Sequence, residues 1–276
     1  MSSHLHHDDF GGLERDLKAT GAIMDRRELF RIAARLGVGV SALSVFGCGG
    51  TTAASPSGSS SSSGGGSAST CSRVPEETAG PYPGDGSNGP TVLSLSGVNR
   101  RDITASFAGL SGTAAGVPLT IQLTIVSAST CAVLAGRAVY LWHCDALGRY
   151  SLYALGVTNQ NYLRGVQEAD SSGKVTFTSI YPGCYSGRWP HIHFEVYPSL
   201  ASATNVANKT ATSQIALTRD ASELVYAQSG YAGSTQNLSQ VSLASDNVFS
   251  DGSALEIATM TGSVSAGFTA ALTVAI

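Results

Sequence analysis

An all-β fold, an antiparallel β-sandwich with long loops, is predicted for residues 71–276 by three observations. Apolar residues alternate at period two in several segments. No segment after residue 71 offers a long 3.6-residue periodicity. Gly, Ser, Asn and Asp break the strands at short intervals. Composition agrees: 32 of 276 residues are Gly and only 13% are charged, against roughly 25% in an average soluble domain. The net charge of −3 supplies no basic surface for nucleic acid or for a polybasic membrane contact.

The segments in front of the sandwich come first. Arg26 and Arg27 precede an uncharged stretch from Leu36 to Gly47, which is too short to span about 30 Å of hydrocarbon. Residues 1–48 are therefore a leader, similar to a Tat export signal, and Val45-Phe46-Gly47-Cys48 resembles a lipobox with Cys48 as the lipidated residue. His4, His6 and His7 fall within this leader and are set aside as metal ligands. In residues 49–70, 15 of 22 positions are Gly or Ser, so the segment cannot bury enough apolar surface to offset its ordering entropy. A disordered linker is expected there. The chain is expected to be exported by the Tat machinery and tethered to the outer face of the membrane as a lipoprotein, or secreted.

Within residues 71–276 the strands follow in order. Leu119, Ile121, Leu123 and Ile125 face one side and Thr120, Gln122 and Thr124 the other. Residues 138–143, AVYLWH, read as a second strand, and Val175 to Phe177 with Ile180 as a third. In a fourth, Ile192, Phe194 and Val196 alternate with His191, His193 and Glu195. Phe268, Ala270, Leu272, Val274 and Ile276 close the chain, and 220–227 has room for a helical turn. Four cysteines follow the leader, Cys71, Cys131, Cys144 and Cys184. An even count in an exported chain suggests two disulfides with three possible connectivities. The favoured one is Cys71–Cys131 with Cys144–Cys184, because Cys144 and Cys184 each flank the candidate site.

That site starts from His191-Ile192-His193. Residues two apart on a strand project from one face, so the two imidazoles form half a metal site without backbone contortion. No carboxylate lies just upstream; what recurs is tyrosine, with Tyr150 after Gly148-Arg149 and Tyr185 after Pro182-Gly183-Cys184. A phenolate needs its pKa pulled far down from about 10, which a trivalent cation can do, and it is a hard donor suited to ferric iron. Zinc would more usually recruit a carboxylate or a third histidine.

At these residues the sequence resembles the intradiol ring-cleavage dioxygenases, the family of catechol 1,2-dioxygenase and protocatechuate 3,4-dioxygenase. The likeness is carried by GRY at 148–150, YLRG at 162–165, PGCYSGR at 182–188, HIHF at 191–194 and ETAGPYP at 77–83. The resemblance implies one non-haem Fe(III) per domain, held by Tyr150, Tyr185, His191 and His193. It implies a catechol-type substrate opened by O2 between its two hydroxylated carbons to a muconate-type diacid. Arg188 then matches the arginine that stabilises charge on the ring, Gln214 the family's glutamine, and Tyr82 a pocket residue; Tyr185 is also a base. Only five residues separate Tyr185 from His191, which implies a more open site than in the cytoplasmic enzymes. Two other readings stand beside this one: a non-catalytic lipid-tethered binding module, and a divalent-metal protein built on the histidine pair. Oligomeric state is left open.

Overall fold

The structure, a computed structural model, describes residues 71–276; the leader with Cys48 and the linker 49–70 lie outside the described residues. Among the described residues eight strands form two four-stranded sheets. The first has the order β4-β1-β8-β7, from β4 (Lys174–Ile180), β1 (Pro118–Val126), β8 (Gly267–Ala275) and β7 (Thr259–Ser263). The second has the order β3-β2-β5-β6, from β3 (Arg164–Glu168), β2 (Ala138–Trp142), β5 (His191–Tyr197) and β6 (Ala211–Ala216).

The core between the sheets is built from the alternations expected. Leu119, Ile121, Leu123, Ile125 and Phe177 pack in one cluster with Val139, Leu141, Ile192, Phe194 and Val196. One pairing departs from the antiparallel expectation: β1 and β8 run parallel, Leu119 opposite Phe268 and Ile125 opposite Val274. The chain builds the whole second sheet between these strands, and that long crossover returns it to the same end. Two short helices follow β6: α1 (Arg219–Tyr226), at the place read as a helical turn, and α2 (Ser234–Ser239).

The second sheet is buried on both faces, since every residue of β2, β5 and β6 is inaccessible. Its outer face carries Tyr140, Trp142 and Tyr197, which join a second apolar cluster with Val92, Leu93 and Tyr150; Ala79, Tyr82, Leu95, Val98 and Phe107 pack against it. The segment before β1 thus roofs this face. Arg164 pins it there, because its buried guanidinium donates to the carbonyls of Tyr82 (2.9 Å), Pro83 (2.6 Å) and Ser151 (3.0 Å).

The cysteines need a correction. Cys71 and Cys131 are bridged, their Cα atoms 5.3 Å apart, but Cys144 and Cys184 are free. Both thiols are buried and each is turned to a backbone carbonyl, Cys144 to Gly183 (3.4 Å) and Cys184 to Arg188 (3.4 Å). Burial pushes the Cys184 thiol up to about 12 and Cys144 well above its ordinary value. Flanking the same site in sequence does not aim two sulfurs at one another.

Candidate metal centre

β5 supplies the histidines. In the register of the second sheet His193 lies between Trp142 of β2 and Gln214 of β6, so directly opposed residues share the roofed face. Trp142 stacks on His193 with ring centroids 4.9 Å apart and an interplanar angle of 6°. His191 Nδ1 lies 2.5 Å from the Trp189 carbonyl. A contact of that kind requires the proton on Nδ1, which leaves the Nε2 lone pair facing the site. His193 Nδ1 is buried without a partner.

The tyrosines arrive on two loops packed backbone against backbone. Asp145 folds the first: its Oδ1 accepts the amides of Leu147 (2.9 Å) and Arg149 (3.0 Å), and Oδ2 pairs with Arg149 (2.8 Å) and the Tyr162 hydroxyl (3.2 Å). Gly148 makes the tight turn at φ 77°, a region that costs glycine little. The amide of Gly183 donates to Asp145 O (2.9 Å) and joins the second loop to the first. From the other side Ser234 and Asn237 of α2 hold the Cys184 peptide at 3.0 and 2.7 Å.

The result is a convergence of four donors. Tyr150 Oη is 3.3 Å from His191 Nε2 and 3.2 Å from His193 Nε2; Tyr185 Oη is 3.2 Å from His191 Nε2, and the two Nε2 atoms are 3.1 Å apart. Bonds of about 2.0 Å to one ion would put tetrahedral donors about 3.3 Å apart. The donor set therefore fits a single small cation. Burial pushes the Tyr150 phenol well above its ordinary value, with the Tyr185 phenol adding to the rise. Burial and the Arg188 charge hold His191 well below the usual imidazole value, and burial with His191 and Arg188 does the same at His193. Two lone-pair nitrogens and two phenols gathered in a low-dielectric pocket offer a cation donors and no pre-existing charge. Among the described residues no group of three His, Cys, Asp or Glu could hold a metal ion, so an ion at this cluster would need the phenols as well as the imidazoles.

Beside the cluster sits a buried guanidinium. Arg188 donates to Asp246 Oδ2 (3.0 Å) and Gln214 Oε1 (2.6 Å), and Gln214 Nε2 donates to the Thr78 carbonyl (2.9 Å). Tyr82 lies 5.0 Å from Tyr150, ring to ring. All the residues singled out from the sequence for this site are thus brought together, and Gln214 sits in a direct bond with Arg188. His143 stands apart: its ring bonds Ser179 Oγ (2.7 Å) and the Cys144 carbonyl (2.8 Å), and burial lowers it to about 4. Asp246 was missed. It lies in a Ser- and Ala-rich stretch with no periodic pattern, and only its isolation as a lone acid between Ser245 and Asn247 marks it.

Comparison with known proteins follows the same lines. A dioxygenase family model matches residues 88–209. An intradiol ring-cleavage dioxygenase from Tetranychus urticae is 26% identical, with a TM-score of 0.57 over 75% of this chain and 95% of that one. A second solved dioxygenase is 25% identical, with a TM-score of 0.58 over 75% and 94%. No curated protein matches the sequence. The chain is thus similar to the dioxygenase family over residues 88–209 and to a solved intradiol ring-cleavage dioxygenase over three quarters of its length.

Proposed function

We propose that the protein cleaves catechol-type rings between their two hydroxylated carbons, inserting both atoms of O2 to give muconate-type diacids, with one non-haem Fe(III) per domain. The observation that carries this reading is the four-donor convergence at 3.1–3.3 Å. Tyr150, Tyr185, His191 and His193 would hold the metal. When bound, Fe(III) would supply Lewis acidity toward the two phenols and the substrate's hydroxyl groups.

The chain's own groups do the rest. Tyr185 is the only one of the four not fully buried, so it is the ligand best placed to meet an incoming catechol and take one of its protons. Arg188 stays cationic in a buried setting and offers fixed positive charge where the ring becomes electron-rich, and Gln214 keeps its plane. Tyr82 supplies an aromatic wall beside Tyr150. The roof over the second sheet keeps water from the cluster, which strengthens each of these interactions.

Export by the Tat route and lipidation at Cys48 belong to the same proposal, supported by Arg26-Arg27, the uncharged stretch 36–47 and the Gly/Ser linker. The test is the visible spectrum and iron content of the purified protein, with and without catechol in the absence of oxygen. A broad band that shifts with catechol in the wild type, and is lost in Tyr150→Phe and His193→Ala, is expected. A protein that stays colourless after reconstitution with iron refutes the proposal.

A further inference from the structure

We propose that Asp246, beyond the region matched by the family model, is the positioning residue that fixes Arg188 and the Trp189 peptide against the four-donor cluster. This inference rests on the role given to Arg188 above. The Asp246 side chain is fully buried, and its two oxygens serve different partners. Oδ1 accepts the amides of Val248 (2.8 Å) and Phe249 (3.2 Å), closing the turn of its own segment. Oδ2 accepts Arg188 Nε (3.0 Å) and the Trp189 amide (2.6 Å).

One carboxylate therefore ties the C-terminal segment to two parts of the site. The first is the guanidinium, held at Nε by Asp246 and at Nη2 by Gln214; a planar fork fixed at two edges has little freedom to turn. The second is the Trp189 backbone, held at its amide by Asp246; the Trp189 carbonyl accepts from His191 Nδ1 and sets its tautomer. Phe249, on the same turn, places its ring 6.5 Å from that of His191. A turn cap alone would need only Oδ1. The engagement of Oδ2 with Arg188 and Trp189 is what makes Asp246 part of the site's geometry.

The test uses iron-loaded full-length protein and the variants Asp246→Ser, Arg188→Gln and their double. Ser retains a capping oxygen for the turn and removes the partner of Arg188. Iron per chain, thermal midpoint, and kcat and KM with catechol are read in each. Asp246→Ser should lower kcat per bound iron by about 10–100-fold, the span of a charge-assisted hydrogen bond, with KM changed by less than about three-fold. Its midpoint should fall by about 5–15 °C, because the buried guanidinium loses the Asp246 carboxylate, and recover in part in the double variant.

In the Arg188→Gln background the Asp246 substitution should add less than about two-fold to the loss of kcat. If the single variant does not fold, this comparison decides alone, since neither protein in it carries the Arg188 charge. Losses that multiply in the double variant, or a kcat per bound iron that stays at the wild-type value in Asp246→Ser, overturn the proposal. Wild-type protein that holds iron but leaves catechol uncleaved instead overturns the dioxygenase reading, whatever the variants do.

Discussion

Gly183 is where the two tyrosine loops meet, and Gly183→Ala tests how closely they must. A Cβ at Gly183 would lie 2.5 Å from the Ala146 carbonyl oxygen, 2.8 Å from its carbon and 2.8 Å from the Gly148 amide nitrogen. An ordinary C···O contact is about 3.3 Å, so the loops must part by roughly 0.8 Å. All three atoms are backbone, and no rotamer change relieves them. The backbone of Gly183 is itself unstrained for alanine, its φ lying outside the left-handed region, so the whole effect is steric. The loop pushed aside is the one that carries Tyr150, while metal–donor distances tolerate only about 0.2 Å. Overpacking of this kind costs about 1–3 kcal/mol, which lowers the midpoint of a domain this size by about 2–12 °C. Iron affinity should fall by about 10–100-fold or more. Iron titration followed in the visible band, with thermal unfolding of the same samples, gives both numbers. An alanine variant that fills with iron like the wild type, with a midpoint within 2 °C, would refute the argument that this backbone contact sets the distance between the tyrosines.

Arg164→Lys should behave as a drastic change, because an ammonium cannot reach all the oxygens of Tyr82, Pro83, Ser151 and Tyr140. Leaving two buried acceptors unpaired costs about 2–4 kcal/mol, read as a midpoint lower by about 5–15 °C. Cys71→Ser with Cys131→Ser opens a loop of 60 residues, and loop-closure entropy puts the loss near 4 kcal/mol; urea unfolding with and without reductant measures it. Burial, eased by the Ser213 hydroxyl, pushes Glu256 up to about 7, above its unfolded value near 4.5. Its contribution is therefore complete below pH 4.5 and is lost as pH rises through 7, up to about 3 kcal/mol. Glu256→Gln should flatten the midpoint-against-pH curve across that window, and an unchanged slope would exclude Glu256 as its source.

Strands that pack one apolar face were legible because period two is a local property. β1, β4 and β8 show it plainly, and β5 shows it with imidazoles on one side and Ile192, Phe194 and Val196 on the other. Three strands without that pattern were not. β3 opens on Arg164, a charge buried because five oxygens meet it. β6, Ala-Thr-Ser-Gln-Ile-Ala, is buried on both faces with few apolar side chains. β7 is an exposed edge rich in Thr and Ser.

Sequence alone determined the donor types, the shared face of His191 and His193, and the loop turns that present Tyr150 and Tyr185, since each follows from residues within a few positions of one another. The tertiary structure decided what depends on through-space distance. It set the 3.1–3.3 Å spacing of the four donors, the bond of Gln214 to Arg188, and the free thiols of Cys144 and Cys184. It also brought in Asp246, 58 residues from the arginine it holds. Contacts of that separation depend on how the second sheet and the loops after α2 pack, which no local pattern encodes.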